Sequence, residues 1–485
     1  MLNLFNLQNS RKTQETMDRN NKKRFELRKD MVAIFTLAFL SMVIIAPFFD
    51  NQDQLNVYSG FISLTFKNNL YYSYTYSYPP LAEFLDWPFL SLLSYFYPVS
   101  NWTINLVLAK SVTEQMSYLS TTVFSPLFNL FYKLPMILST LVTSMILFAT
   151  LQKLGYSYFT AKRVTVFYLF NPFVLYEASV HSPIDCYVPL ILLAFIYSLS
   201  IKKPFLSGLI SSFGALIILF PAYLLILSLF YYLVPLFLTK NHRLKNAAKT
   251  FFFIVAGASI PIILTLPYLE NFIFLSNLSV TSSSLIVNLS NIDFWGTLNS
   301  SFGIFPIFSN NYTEGLSTIL RILDLFIFSV VGIVMGLNIS RTCYSIRTIY
   351  QSNLYLCTVA IVLLFLTTPG STPEAFIWFL VLLLIMSLER QRLFISYVLV
   401  SLWGLMWELL FLAGPLYYLL SFSAYLYPSW NKLLIALVLS YWHSTWGSPL
   451  HNFLWNFTSI FGGSLIFFTV YLIFKKIGNS YRHIE

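Results

Sequence analysis

Residues 31–49 read MVAIFTLAFLSMVIIAPFF, an apolar stretch without a charged side chain. A helix needs about 20 such residues to cross the hydrocarbon layer of a bilayer, so this stretch predicts a membrane span. Comparable runs recur along the chain, which is 57% hydrophobic and only 10% charged. One soluble core cannot hide that much apolar surface, and the runs lack the alternation of barrel strands. The sequence therefore predicts an all-α polytopic membrane protein.

The apolar runs and the charges beside them predict a bundle of about 12 transmembrane helices. We expect these spans near residues 31–49, 126–150, 164–181, 184–200, 205–220, 222–239, 251–268, 317–337, 353–368, 376–388, 393–412 and 459–474. A hairpin in 413–443 would raise the number to about 14. Residues 1–30 lack the apolar core and cleavage site of a secretory signal. We therefore expect a basic cytoplasmic tail over 1–30 and a single transmembrane domain over 31–485.

Lysine and arginine residues gather in the N-terminal tail and in short loops, as in KNHRLKNAAK at 240–249. We interpret them as markers of the cytoplasmic side rather than as a nucleic-acid site. Two long segments, 50–125 and 269–316, then lie on the outer face. The first contains LAEFLDWPFLSLLSYFYP at 81–98, which predicts helices lying at the membrane interface.

Two carboxylates, Asp50 and Asp53, follow the first predicted span directly in the segment FFDNQD at 48–53. At this spacing they could share a divalent metal ion, Mg or Mn. Alternatively, one could take a proton from an incoming hydroxyl group while the other raises its pKa by like-charge repulsion. The start of a solvated loop, or a helix cap, would explain the same two residues without any function.

An aromatic segment, YYSYTYSYPPLAEFLDWPF at 71–89, leads from a tyrosine-rich stretch into the predicted interfacial helix. Tyrosine rings stack on sugars, so Tyr78 is a candidate for holding a substrate, and Glu83 follows it on the helix. The alternative for this segment is an aromatic belt at the membrane surface.

Two further segments place polar residues at the predicted outer ends of spans. In FNPFVLYEASVHSPIDCYVPL (170–190), Pro172 interrupts a span and Asn171 could satisfy the carbonyl group that the proline frees. His181 and Asp185 follow, and a histidine there could hold a lipid-linked phosphate group. In TTPGSTPEAFIWFL (367–380), a short loop carries Glu374 and Trp378. Ordinary connecting turns are the alternative for both segments.

The chain contains no Gly-rich phosphate loop, dinucleotide fingerprint, zincin motif or Gly-x-Ser-x-Gly elbow. A soluble nucleotide sugar therefore has no evident cradle, and a sugar donor would have to come from the membrane.

In their order along the chain, these segments resemble the GT-C glycosyltransferases, and most closely the catalytic subunit of GPI mannosyltransferase I. That family carries an acidic motif after its first span and then an aromatic stretch that opens an interfacial helix, which TYSYPPLAEFL (75–85) resembles. Two departures stand out. Asp50 and Asp53 are separated by two residues where the family typically has one, and Ser77 stands where a basic residue is common.

The resemblance implies a GT-C-like fold and transfer of a sugar, mannose first among the candidates, from a dolichyl- or polyprenyl-phosphate donor to a lipid-linked or glycan acceptor. Asp53 or Asp50 would be the catalytic base, and a small membrane subunit would be a partner. Chemistry would take place on the lumenal face of the endoplasmic reticulum or outside the plasma membrane. The same architecture also implies an alternative, a non-catalytic multi-span subunit resembling that of the GPI transamidase. A transporter or flippase is disfavoured because we find no internal repeat and few charges in the middle of spans.

Overall fold

Every element of the described chain is helical. The computed structural model describes residues 29–49, 57, 60–61, 64–65, 79–96, 126–181, 183–218, 220–238, 243–268, 313–340, 346–367, 373–389, 391–411, 461, 464–465 and 468–473. Its α-helices, in chain order, are α1 (Lys29–Ile45), α2 (Pro80–Phe96), α3 (Pro126–Lys153), α4 (Tyr158–Leu169), α5 (Pro172–Tyr176), α6 (Val188–Ser200), α7 (Pro204–Ala215), α8 (Ala222–Leu238), α9 (Arg243–Thr265), α10 (Thr313–Ser340), α11 (Ile346–Thr367), α12 (Ile377–Ser387) and α13 (Gln391–Phe411). Short turns of other helical types are Ala46–Phe48, Glu177–His181, Ile184–Tyr187, Leu266–Tyr268 and Pro373–Phe376.

Within the described residues, three helices are long and apolar enough to cross a membrane: Lys29–Phe48, Pro126–Lys153 and Lys245–Thr265. Shorter apolar helices are Ile184–Ser200, Pro204–Ala215, Ala222–Leu238, Ile322–Asn338, Ile377–Ser387 and Gln391–Met406. Large apolar side chains on α9, such as Phe252 and Leu264, are more than half exposed. Exposed apolar surface of this kind suits contact with lipid, so the chain is an all-helical, membrane-embedded protein. The prediction of about 12 spans stays a prediction.

Where the structure describes them, the predicted spans coincide with helices except at two breaks. The possible hairpin over 413–443, part of the expected span 459–474 and residues 269–312 of the second outer segment lie outside the described residues. The span expected over 164–181 stops at Leu169 and resumes at Pro172. The span expected over 205–220 ends at Ala215. After the first break, the short helix α5 is followed by a turn of wide π-helical geometry, Glu177–His181. Such turns inside helices are frequent at functional sites.

Glycine residues let α7 and α9 approach each other closely. A Cβ atom added to Gly208 would lie 2.1 Å from the carbonyl oxygen of Ile254, and one added to Gly257 would lie 2.1 Å from that of Phe205. Each glycine therefore faces the backbone of the other helix directly. Close backbone contact through small residues is a common way for helices to associate within membranes, where water cannot drive them together.

Candidate functional site

The break before Pro172 is stabilised by the side chain of Asn171. Its Oδ1 atom accepts the backbone N–H groups of Phe173 (2.9 Å) and Val174 (3.4 Å), and so caps the start of α5. Its Nδ2 atom donates to the hydroxyl oxygens of Tyr397 (2.6 Å) and Ser401 (2.7 Å) on α13. We expected Asn171 to satisfy a freed carbonyl group. The contacts correct that expectation, since its oxygen accepts N–H groups at a helix start, the usual role of an N-cap.

The turn that follows α5 brings together an acid and a histidine, and both are buried. The Nδ1 atom of His181 lies 3.3 Å from Oε2 of Glu177, four residues earlier. The carbonyl oxygen of Glu177 also accepts a weak hydrogen bond from the thiol of Cys186, at 3.5 Å. The Glu177–His181 turn is thus held in two ways. Its own side chains, Glu177 and His181, contact each other, and Cys186 of the next turn, Ile184–Tyr187, donates to its backbone.

Two residues that the sequence singled out, Asp185 and Trp378, contact each other directly. The indole Nε1 of Trp378 donates to Oδ1 of Asp185 at 2.5 Å, across 193 positions of sequence. The ring of Phe220 stacks on Trp378 with centroids 4.6 Å apart and planes 20° from parallel. Trp378 is only 9% exposed, whereas Asp185 is half-buried. Because Phe220 already covers one face of the indole, Trp378 is better placed to orient Asp185 than to stack on a sugar.

Helix α2 turns its two acids inward. Glu83 is fully buried and Asp86, one turn later, is 1% exposed, whereas Tyr95 and Phe96 are 86% and 69% exposed. The hydroxyl group of Tyr187 donates to Oδ1 of Asp86 at 3.4 Å. Within the described part of the chain, neither carboxylate oxygen of Glu83 has a hydrogen-bond partner. The predicted helix is therefore confirmed, with its acids packed inside.

Burial raises the pKa of both acids well above the usual values, since desolvation disfavours the charged form. The negative charge of Asp86 raises the pKa of Glu83 further, and the hydrogen bond from Tyr187 partly offsets the effect on Asp86. Helix α2 is not among the candidate membrane spans. The surroundings of Glu83 therefore favour its neutral form, since a buried carboxylate without partners is costly to ionise.

Sequence reasoning missed Lys133, which is fully buried within α3. Its Nζ atom contacts four backbone carbonyl oxygens: those of Ala46 (3.3 Å), Phe49 (2.5 Å), Ser179 (3.2 Å) and Val180 (2.8 Å). The available signal was a lysine inside the apolar run FYKLPMIL, at 131–138. An ionisable side chain inside a membrane helix is by default a functional hypothesis.

These contacts link six segments of the chain into one group of polar side chains, which we call the junction cluster. It connects the end of the first span, α2, α3, the two turns between α5 and α6, and the start of α12. Its members are Glu83, Asp86, Lys133, Glu177, His181, Asp185, Tyr187 and Trp378.

Four predicted site residues cannot be placed in this cluster. Asp50, Asp53 and Tyr78 lie outside the described residues. Glu374 belongs to the turn Pro373–Phe376, but its side chain is not described. The predicted metal pair, Asp50 and Asp53, thus stays a prediction. Among the described residues, no group of three histidine, cysteine or acidic side chains could hold a metal ion.

No protein-family model, curated protein or solved structure matches this chain. Any function therefore has to be argued from the cluster itself. The cluster offers a carboxylate that solvent can reach, Asp185, and an imidazole, His181, beside a lysine that holds backbone carbonyl groups. A solvent-accessible carboxylate can accept hydrogen bonds from hydroxyl groups, and an imidazole can donate one to an anion.

Proposed function

We propose that the protein is a GT-C-like glycosyltransferase. It would move a sugar, mannose first among the candidates, from a dolichyl- or polyprenyl-phosphate donor to a lipid-linked or glycan acceptor. Asp53 or Asp50 would deprotonate the acceptor hydroxyl group, which attacks the anomeric carbon as the lipid phosphate leaves. The active site would face the lumen of the endoplasmic reticulum or the outside of the plasma membrane.

The contact between Asp185 and Trp378 carries the proposal, because it joins two of the segments on which the family resemblance rests. Those segments are far apart in sequence, and nothing in either one alone requires them to meet. His181 lies a few residues before Asp185 and would stabilise the departing phosphate, with Glu177 holding its ring. Asp185 and Glu374 would bind substrate hydroxyl groups beside Tyr78, and Trp378 would orient Asp185. Glu83 is fully buried and would reach a substrate only if α2 moved outward.

A second candidate function is a non-catalytic subunit of a lipid-glycan complex, resembling the multi-span subunit of the GPI transamidase. The burial of the acids favours it. Glu83, Asp86 and Glu177 are at most 1% exposed. Carboxyl groups sealed in this way cannot take a proton from an acceptor unless the helices move apart, so these three acids offer no base and the transferase proposal depends on Asp50 or Asp53. A subunit that binds its lipid-linked glycan without turnover needs no such base.

One experiment separates the two functions. The purified full-length protein is incubated with a panel of polyprenyl-phosphate sugars together with lipid-linked and glycan acceptors, and release of free polyprenyl phosphate is measured. The transferase proposal predicts release with at least one donor, and loss of release in Asp50→Asn or Asp53→Asn. A matched control is Glu389→Gln, because that carboxylate accepts a hydrogen bond from Tyr355 (2.8 Å) outside the junction cluster. No release with any donor, or full activity in both aspartate variants, would contradict the transferase proposal.

A further inference from the structure

We propose that Lys133 is a positioning residue that holds the end of the first span against the Glu177–His181 turn. The inference deepens the proposed function, on which its catalytic consequence rests. It gives a role to a buried charge that the transfer chemistry itself does not use.

Lys133 bridges two distant segments of the chain through its ammonium group. All four contacts of Nζ described above are to backbone carbonyl oxygens, two from each of two segments. An ammonium group has three N–H donors, so the four carbonyl oxygens share them. Those segments are separated by more than a hundred residues in sequence, and Lys133 bridges them from a third.

The carbonyl groups that Lys133 contacts lie at the C-terminal ends of helical segments. The last carbonyl groups of a helix have no partner within the helix and carry a partial negative charge. The first span ends at Phe48, and the turn before Pro183 ends at His181. Lys133 therefore places one positive charge between two helix C-termini. One turn earlier on α3, Asn129 donates to the carbonyl oxygen of Pro47 at 3.1 Å, so the same face of α3 satisfies three carbonyl groups of the first segment.

Two of these carbonyl groups directly precede candidate site residues in the sequence. The carbonyl group of Phe49 belongs to the peptide bond that leads to Asp50, a candidate base. The carbonyl group of Val180 belongs to the peptide bond that leads to His181, the candidate phosphate ligand. Because a peptide unit is planar, a fixed carbonyl group restrains the backbone of the next residue. One lysine thus restrains the backbone that leads into His181 and the backbone of Phe49, at the end of the first span, after which Asp50 follows in the sequence.

The test uses the full-length protein in detergent with Lys133→Met, which keeps an unbranched side chain, one atom shorter than lysine, and removes its N–H donors. Phe49 packs against the pair formed by Tyr176 and Val180. A cysteine pair, Phe49→Cys with Val180→Cys, reports on their proximity through a short thiol cross-linker, after the native cysteines are replaced by alanine. Ser139→Ala is the matched control, because Ser139 also donates from α3 to a backbone carbonyl group, that of Cys186 at 3.1 Å.

We expect Lys133→Met to lose most of the cross-linking and Ser139→Ala to retain it. With the sugar donor that the wild type uses, kcat should fall by about tenfold or more, because small displacements of reacting groups are costly. The KM for the donor should stay within about twofold, since the lysine does not touch the donor. A purely structural lysine would lower the yield of folded protein without separating kcat from KM.

Each outcome decides the proposal. Unchanged cross-linking in Lys133→Met overturns it, whatever the activity. Retained kcat overturns the catalytic consequence. If the wild type transfers no sugar, the transferase proposal fails while cross-linking still decides the role of Lys133. If Lys133→Met does not accumulate, Lys133→Gln decides by the same criteria, because Gln keeps two N–H donors on a side chain one atom shorter.

Discussion

The contact between Asp185 and Trp378 leads to a quantitative prediction for Trp378→Phe. Phenylalanine keeps an aromatic ring against Phe220 and loses the Nε1 donor that lies 2.5 Å from the carboxylate. A hydrogen bond to a charged group contributes about 1.5–3 kcal/mol to stability. Asp185 is half-buried, so water can reach its carboxylate and replace part of the interaction. We therefore expect the bond itself to contribute near the lower end, about 1.5 kcal/mol.

The smaller ring also leaves a cavity, because Trp378 is only 9% exposed, and the total loss of stability will exceed the contribution of the bond. A double-mutant cycle separates the two effects. The free energy of unfolding is measured in mixed micelles for the wild type, Trp378→Phe, Asp185→Ala and the double variant, because alanine removes the acceptor that asparagine would keep. A coupling energy of about 1.5 kcal/mol is expected, equivalent to about tenfold in the unfolding equilibrium. A coupling energy below about 0.5 kcal/mol would refute a direct interaction between the two side chains.

Three further predictions follow from the described contacts. Gly257→Ala should destabilise the fold by about 1–3 kcal/mol or more, because the new Cβ would clash with the carbonyl oxygen of Phe205. Thermal unfolding in detergent measures this loss of stability, and unchanged stability would refute the close contact of α7 and α9. Burial raises the pKa of Glu83 above its value in the unfolded chain, so the contribution of Glu83 to the free energy of unfolding is fully present at acidic pH and is lost as pH rises. The Glu83→Gln variant should therefore be more stable than the wild type at neutral pH, and its free energy of unfolding should depend less on pH. Equal pH profiles of stability for the two proteins would contradict this prediction. Asn171→Ala removes an N-cap and a hydrogen-bond donor to Ser401, so we expect the free energy of unfolding to fall by about 1–3 kcal/mol, measured by thermal unfolding in detergent. A fall below about 0.5 kcal/mol would contradict the capping role.

The helices and one of their breaks could be predicted from sequence because both follow from local chemistry. An apolar run of sufficient length forms a membrane helix, and proline after a capping residue starts a new one. The segments with Asp185 and Trp378 could be selected because polar residues at the ends of apolar helices are conspicuous. Their contact with each other could not be predicted, since it depends on how α6 and α12 pack.

The contacts of Lys133 and the burial of the α2 acids, Glu83 and Asp86, could not be predicted from the sequence either, and the physical reason is different. The partners of Lys133 are backbone carbonyl groups, which are present in every residue and leave no trace in a sequence. Acids on an amphipathic helix usually face water, whereas Tyr187 and the packing against α3 hold Glu83 and Asp86 inside. In both cases a distant segment decides the environment of a charged side chain.

The junction cluster can form inside an apolar protein because little of its charge is left unbalanced. A bare ion in such surroundings is strongly disfavoured, and two devices avoid that cost. The charge of Lys133 lies among the carbonyl groups of two helix ends, and burial raises the pKa of Glu83 and so favours its neutral form. Asp185 differs from both, because solvent reaches it while Trp378 fixes its orientation. Among the described acids of the cluster, Asp185 is therefore the one that a sugar hydroxyl group can meet without separation of the helices, and Asp185→Asn should weaken retention of a lipid-linked sugar more than Glu83→Gln does. Equal retention by the two variants, measured with the donor panel, would instead place ligand binding elsewhere.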